Sequence, residues 1–168
     1  MPATNITLRL ATASDAHAIA TMSRDLIETG LAWSWTPERV ARSIANRDTV
    51  TLVACDAERV IAFAIMHFGD ARARLNLLAV RARYQRNGIG RRLVAWLEAS
   101  ALAAGIEAVE LELRRDNAGA RRFYERLGFR PVGIVARYYA GAVDALRMAR
   151  DIRRVAPSPP VWRAPWQK

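Results

Sequence analysis

Lysine is all but missing from this chain: the single one is Lys168, the last residue. That excludes the phosphate-binding loop built on Gly-Lys-Ser/Thr. Cysteine is equally scarce. Cys55 alone permits no internal disulfide, which fits a reducing cytoplasm. Lying mid-strand with no histidine partner, Cys55 reads as a buried structural thiol rather than a nucleophile. The two histidines, His17 and His67, have no ligand spacing, so no metal site is expected. No apolar run approaches the ~20 residues of a membrane span. Met1 to Leu10 shows neither the basic nor the apolar region of a secretory signal.

What the chain has in excess is arginine, and the formal net charge is +10. Such a field attracts polyanions, nucleic acid included. No nucleic-acid reading motif accompanies it, so nucleic acid is not expected as the partner. With 168 residues, 52% hydrophobic and 25% charged, the composition suits one soluble globular domain with a real core.

The most informative segment is Gln85-Arg86-Asn87-Gly88-Ile89-Gly90. It follows an apolar run, Leu75 to Val80, of strand length. A helical repeat through Ile89, Leu93, Trp96, Leu97 and Ala101 comes after it. Strand, glycine turn and helix together aim the unpaired N–H groups of a first helical turn at one point, where the helix dipole adds positive charge. Glycine lets the backbone come close to a ligand. The result is a diphosphate cradle, with Arg86, Arg91 and Arg92 around it. A dinucleotide fingerprint needs a third glycine at position 93, which is Leu93.

Along the rest of the chain, 5–11 alternates as a strand, and Ser14 or Asp15 caps a helix running to about Thr29 with Gly30 as its stop. Thr36-Pro37 opens a second helix, with Val40 and Ile44 on its inner side. Residues 49–55 and 59–68 form a hairpin across Asp56-Ala57-Glu58. Next come the strand before the cradle, a helix over 88–104, a strand over 106–113, and a helix over 118–127 capped by Asn117. An antiparallel pair, 129–138 with 143–151, closes the order β-α-α-β-β-β-α-β-α-β-β.

Gln-x-x-Gly-x-Gly after an apolar strand resembles the acyl-CoA pyrophosphate loop of the GNAT superfamily of N-acetyltransferases. A second block, 117–129, resembles that superfamily's Asn-x-x-Ala-x-x-x-Tyr-x-x-x-Gly-Phe helix. The resemblance covers Val50 to Ile152 well, the first fifty residues loosely and the last sixteen not at all. It implies an α/β (α+β) fold, a mixed central sheet of about seven strands flanked by four helices. It also implies a domain over 1–152, leaving 153–168 as a tail rich in proline and tryptophan. The implied activity is acetyl transfer from acetyl-CoA to a primary amine, on a peptide amino terminus or a small molecule, without a covalent acyl-enzyme. Such domains often dimerise, so a homodimer is one implied state. The competing class is a non-catalytic module of the same fold, using its basic surface to bind nucleic acid or a protein partner.

The same resemblance implies that Gln85, Arg86, Asn87, Gly88, Ile89, Gly90 and Arg91 hold the diphosphate. The run Leu78-Ala79-Val80 would pair with the pantetheine arm through backbone groups of Leu78 and Val80. Asn117 would both cap its helix and touch that arm. Glu112 is the candidate general base. Strand alternation puts it opposite Val109, Leu111 and Leu113, and Leu-Glu-Leu-Arg at 111–114 resembles the Leu-Glu-Val-Arg of bacterial acetyltransferases that modify ribosomal-protein amino termini. The other reading makes Glu112 a solvated strand residue paired to Arg114 or Arg115. Tyr124 is the candidate general acid, a phenol with reference pKa near ~10 that stays protonated at neutral pH. Its other reading is a core aromatic with a satisfied hydroxyl. Trp33 and Trp35 either contact the acceptor or close the core. Tyr138 and Tyr139 match a tyrosine pair of the ribosomal-protein branch, but of the acidic stretch that follows it there, only Asp144 remains.

Overall fold

A computed structural model describes residues 5–153, so the tail read from sequence lies, beyond Arg153, outside the described residues. Seven strands and four helices follow in the expected order. They are β1 (Ile6–Leu10), α1 (Ala16–Leu26), α2 (Pro37–Ala45), β2 (Thr49–Asp56), β3 (Arg59–Phe68), β4 (Arg72–Val80), α3 (Ile89–Ala103), β5 (Ala108–Arg114), α4 (Ala118–Arg126), β6 (Arg130–Tyr139) and β7 (Val143–Asp151). The strands form one mixed sheet in the order β1-β2-β3-β4-β5-β7-β6. Every neighbouring pair is antiparallel except β4 with β5.

Each face of the sheet carries its own core. Ile19 and Met22 of α1 and Val40 of α2 pack on Val53, Cys55, Phe63, Ile65 and Leu77. On the opposite face Ile89, Leu93 and Leu97 of α3 join Tyr124, Phe129, Leu111 and Met148. β2 and β3 are buried on both faces, which is why they read as apolar runs instead of alternating patterns. Trp96, expected on the inner side of α3, is exposed, and Val94 fills that side instead.

Two termini of α1 differ from the sequence reading. Asp15 makes no ordinary cap bond to the helix; its carboxylate accepts from the Thr12 amide at 2.8 Å and from both terminal nitrogens of Arg9. The helix also stops at Leu26, short of Thr29. The amides of Ile27 and Glu28 both donate to the Ser23 carbonyl, and the Glu28 side chain turns inward. α2 starts as expected, with Thr36 Oγ1 accepting from the Arg39 amide and Pro37 in the first turn.

One irregularity shapes the molecule. In the β3–β4 ladder Ile65 faces Leu77 and Met66 faces Leu75, so Asn76 is an extra residue on β4. Such a bulge bends its strand and reverses the side-chain alternation. Ala73 and Leu75 accordingly point into the α3–α4 core, whereas Leu77 and Ala79 point into the α1–α2 core.

Candidate active site

The bulge falls where β4 leaves β5. The two pair only through Arg72–Leu75 with Ala108–Leu111. Past that point β4 stays with β3 as far as Val80, and β5 stays with β7 as far as Arg114. The edge of β4 beyond Asn76 therefore faces no strand on its β5 side. A cavity of about 620 Å³ opens there. Its walls are the diverging strands, the segment between α1 and α2, the first turns of α4, and Tyr138 to Ala140.

At the end of that free edge lies the glycine turn. Gln85 Nε2 donates to the Val80 carbonyl at 2.9 Å, and Asn87 Nδ2 donates to the carbonyls of Tyr84 and Gln85. These side chains brace the turn, and the amides of 86–91 donate to no protein group among the described residues. Arg86 (φ 63°) and Gly88 (φ 77°) are both left-handed, and Gly88 caps α3 with no side chain over the first-turn N–H groups. A Cβ placed on Gly88 would meet nothing within 4 Å, and a helix start with no side-chain cap is the kind of site that suits a diphosphate. Gly90 is needed for a different reason: its Cβ would lie 3.1 Å from the Phe123 ring of α4. Arg92 is drawn aside to the Ile6 carbonyl, which leaves Arg86 and Arg91 as the cations of the turn. The Gln85 bond already occupies one lone pair of Val80, one of the two residues expected to pair with the cofactor arm.

Glu112 lines the cavity with its side chain only 5% exposed. Its partners are not Arg114 or Arg115. Arg74 Nη2 donates at 2.8 Å and Arg147 Nε at 3.2 Å, both to Oε1. Arg147 stands directly across the β5–β7 ladder from Glu112, and Arg74 reaches over from the parallel neighbour. Both bonds fall on one oxygen, which leaves Oε2 to accept from something else. Arg115 instead binds Asp144, and Arg114 binds the Thr29 carbonyl and Asp116.

Tyr124 packs edge-on to Phe123 and Phe129, with ring centroids 5.0 and 5.5 Å apart. It also lines the cavity. Its hydroxyl has no protein hydrogen-bond partner among the described residues, unlike the satisfied hydroxyl of a core tyrosine. Burial, with the Tyr139 hydroxyl adding to it, pushes its pKa well above the usual phenol value. Burial also pushes Tyr139 up, to about 12, with Tyr138 and then the Glu112 charge adding to it. Tyr138 and Tyr139 meet edge-on at 4.9 Å, and both line the cavity. Asn117 accepts from the Ala120 amide at 3.1 Å as the α4 cap and lines the cavity as well.

The two tryptophans between α1 and α2 part company. Trp33 lies away from the cavity lining; its indole donates to the Ala20 carbonyl and Arg24 sits over its ring. Trp35 does line the cavity, and the Arg39 guanidinium lies 3.9 Å from its ring centroid. Arg39 lies in the first turn of α2 whereas Trp35 precedes its Thr36 cap, so no helical spacing in the sequence announced the pair.

Sequence reasoning missed Glu28. This 6%-exposed residue accepts from the amides of Ser34 and Trp35 and the hydroxyls of Ser34 and Ser23. Burial pushes its pKa up, but the Ser34, Ser23 and Trp35 donors outweigh this and hold it below its ordinary 4.5. A carboxylate with a depressed folded pKa stabilises above the unfolded value and loses that contribution as pH falls through the folded one. Stability contributed by Glu28 is therefore full above about pH 4.5 and declines in acid below it. Glu28→Ala removes the acceptor of the Ser34 and Trp35 amides and of two hydroxyls, and should cost about 1–3 kcal/mol in urea unfolding at pH 7. The difference from the parent should shrink in acid. Through these bonds Glu28 holds one wall of the cavity in place.

Residues 19–129 match the acetyltransferase (GNAT) family. The chain is 38% identical over 97 residues to the [ribosomal protein bS18]-alanine N-acetyltransferase of Escherichia coli K12, covering 56% of this chain and 66% of that enzyme. It is 39% identical over 82 residues to human N-alpha-acetyltransferase 30, covering 49% of this chain and 23% of that protein. The match thus spans less than two thirds of either relative. The solved ribosomal-protein-S18-alanine N-acetyltransferase from Escherichia coli superposes with a TM-score of 0.77 at 26% identity, over 95% of this chain and 99% of that one.

Proposed function

The chain belongs to the acetyltransferase (GNAT) family, and we propose that it transfers an acetyl group from acetyl-CoA to a primary amine, on a peptide amino terminus or a small molecule. The observation that carries this reading is the succession of three features along β4 and the turn that follows it. The open glycine turn leads to the unpaired edge of β4, and that edge leads to a cavity holding Glu112 and Tyr124. A binding module needs the first two, but not the last pair.

Acetyl-CoA supplies an activated acyl group; the residues of this chain supply position and protons. The amides of 88–91, with Arg86 and Arg91, receive the diphosphate. The β4 edge at Leu78 and Val80 holds the pantetheine arm as an added strand, against Asn117. Glu112 Oε2 takes the proton of the amine, directly or through water, while Arg74 and Arg147 fix the carboxylate through Oε1. Tyr124 faces the departing sulfur. Its proton is held more tightly than that of a thiol, whose reference pKa is ~8.5. It therefore stabilises the developing thiolate by donating a hydrogen bond and keeps its own proton, and the thiolate takes a proton from solvent as it departs. The acceptor lies between Trp35 and Tyr138–Tyr139.

No helix among the described residues is long and apolar enough to cross a membrane. Cys55, buried and unpaired, is consistent with the reducing cytoplasm as the place of action. Thermal unfolding tests the ligand. Acetyl-CoA at about 100 times its Kd should add about 2.7 kcal/mol, or on the order of 5–10 °C. A flat response to acetyl-CoA, with a salt-sensitive response to DNA, would replace the enzyme with a nucleic-acid binder.

A further inference from the structure

This inference rests on the acetyl-transfer reading above: we propose that the acceptor amine carries a carboxylate near its nitrogen, received by Arg39 with Arg114 as the second cation of that wall. Five charged side chains line the cavity: Glu28, Arg39, Arg74, Glu112 and Arg114. What matters is which of their hydrogen-bonding groups are already used. Glu28 accepts on both oxygens, from Ser23 on Oε2 and from Ser34 and Trp35 on Oε1. Glu112 Oε1 takes Arg74 and Arg147, and Oε2 is required for the amine proton. A cationic group on the acceptor would find no spare carboxylate here.

An anionic group meets a different surface. Arg74 is committed to Glu112. Arg114 has Asp116 at 3.6 Å and the Thr29 carbonyl at 3.1 Å. Arg39 has no carboxylate partner among the described residues. Among the described residues its side chain makes one hydrogen bond, a 3.5 Å contact from Nη1 to the Ser34 carbonyl, and its guanidinium is held against the Trp35 ring at 3.9 Å. Stacking fixes the plane of a guanidinium without using its in-plane N–H donors. The remaining fork suits bidentate recognition of a carboxylate. The stacked cation belongs to α2, which follows the Glu28–Trp35 wall of the cavity. The carboxylate can be that of a free amino acid or the side chain of an acidic residue at the start of a peptide.

The test measures kcat/KM of the full chain with saturating acetyl-CoA, using matched acceptors. One arm compares alanine with alaninamide. The other compares the carboxamide-ended peptides Ala-Glu-Ala, Ala-Gln-Ala and Ala-Lys-Ala. In at least one arm the carboxylate acceptor should exceed its neutral partner by about tenfold or more, with the lysine peptide slowest. The arm that shows the gap identifies the source. Arg39→Gln should close that gap to about twofold, whereas Arg126→Gln, on the exposed end of α4, should keep it. Equal or better rates with the amide and lysine acceptors would overturn the anionic acceptor and leave acetyl transfer standing. So would a gap untouched by Arg39→Gln. No transfer to any acceptor, with no thermal shift by acetyl-CoA, would overturn both.

Discussion

Tyr124→Phe should lower kcat by roughly 10²-fold while leaving the acetyl-CoA Kd within about twofold. The substitution removes one oxygen from a buried ring that Phe123 and Phe129 hold edge-on. Because no protein group among the described residues bonds that hydroxyl, its loss orphans no partner, and the folded state should lose little or nothing. Stopped-flow single turnover and urea unfolding of the same protein separate the two effects. A drop in turnover matched by a drop in stability would return Tyr124 to a packing role. Unchanged turnover would remove the hydroxyl from the chemistry. The pH profile offers a further check, since a phenol with a strongly raised pKa contributes no titration between pH 6 and 9.

Gly88→Val should weaken acetyl-CoA binding by about 10²-fold or more. A side chain there enters the open space before the turn, and losing even one or two charge-assisted amide contacts is worth about 3 kcal/mol. The substitution also carries a backbone cost, since φ is 77° and a β-branched residue resists the left-handed region by about 1–3 kcal/mol. Gly105→Val separates the two. Gly105 has φ 84° and equally open surroundings, but it follows the far end of α3. Both variants should lose similar stability, and only the first should lose acetyl-CoA. Equal affinity in the two, by calorimetry, would show that the turn does not hold the phosphates.

The order of elements was legible because each carries its own period and its own stop. Thr36-Pro37, Gly88, Gly105, Asn117 and Gly128 mark boundaries that local chemistry enforces. The geometry between elements was not legible in the same way. Ala73, Leu75, Leu77 and Ala79 are spaced as one apolar face, yet the bulge at Asn76 divides them between two cores. Only the polar residue inside an apolar run hinted at it. The partners of Glu112 depended on the β4–β5 and β5–β7 registers, so the alternative pairing with Arg114 or Arg115, its nearest arginines in sequence, is not the one that forms. Trp33 and Trp35 were indistinguishable as letters. Their divergence follows from Glu28, whose carboxylate binds the amides of Ser34 and Trp35 and sets the path of the loop.

The bulge also explains why so much function collects at one place. Without the extra residue, β4 would continue beside β5, its edge amides would be paired, and Glu112 would face a strand instead of a cavity. A local defect thus does three things: it frees a backbone edge, opens a volume, and places a carboxylate beside it.

The account therefore depends most on where acetyl-CoA lies along β4. A crystal structure of the full chain with CoA measures this directly. The account predicts the diphosphate on the amides of residues 88–91 and the pantetheine amides bonded to the backbone of Leu78 and Val80. CoA bound elsewhere, with the β4 edge and the glycine turn untouched, would contradict it.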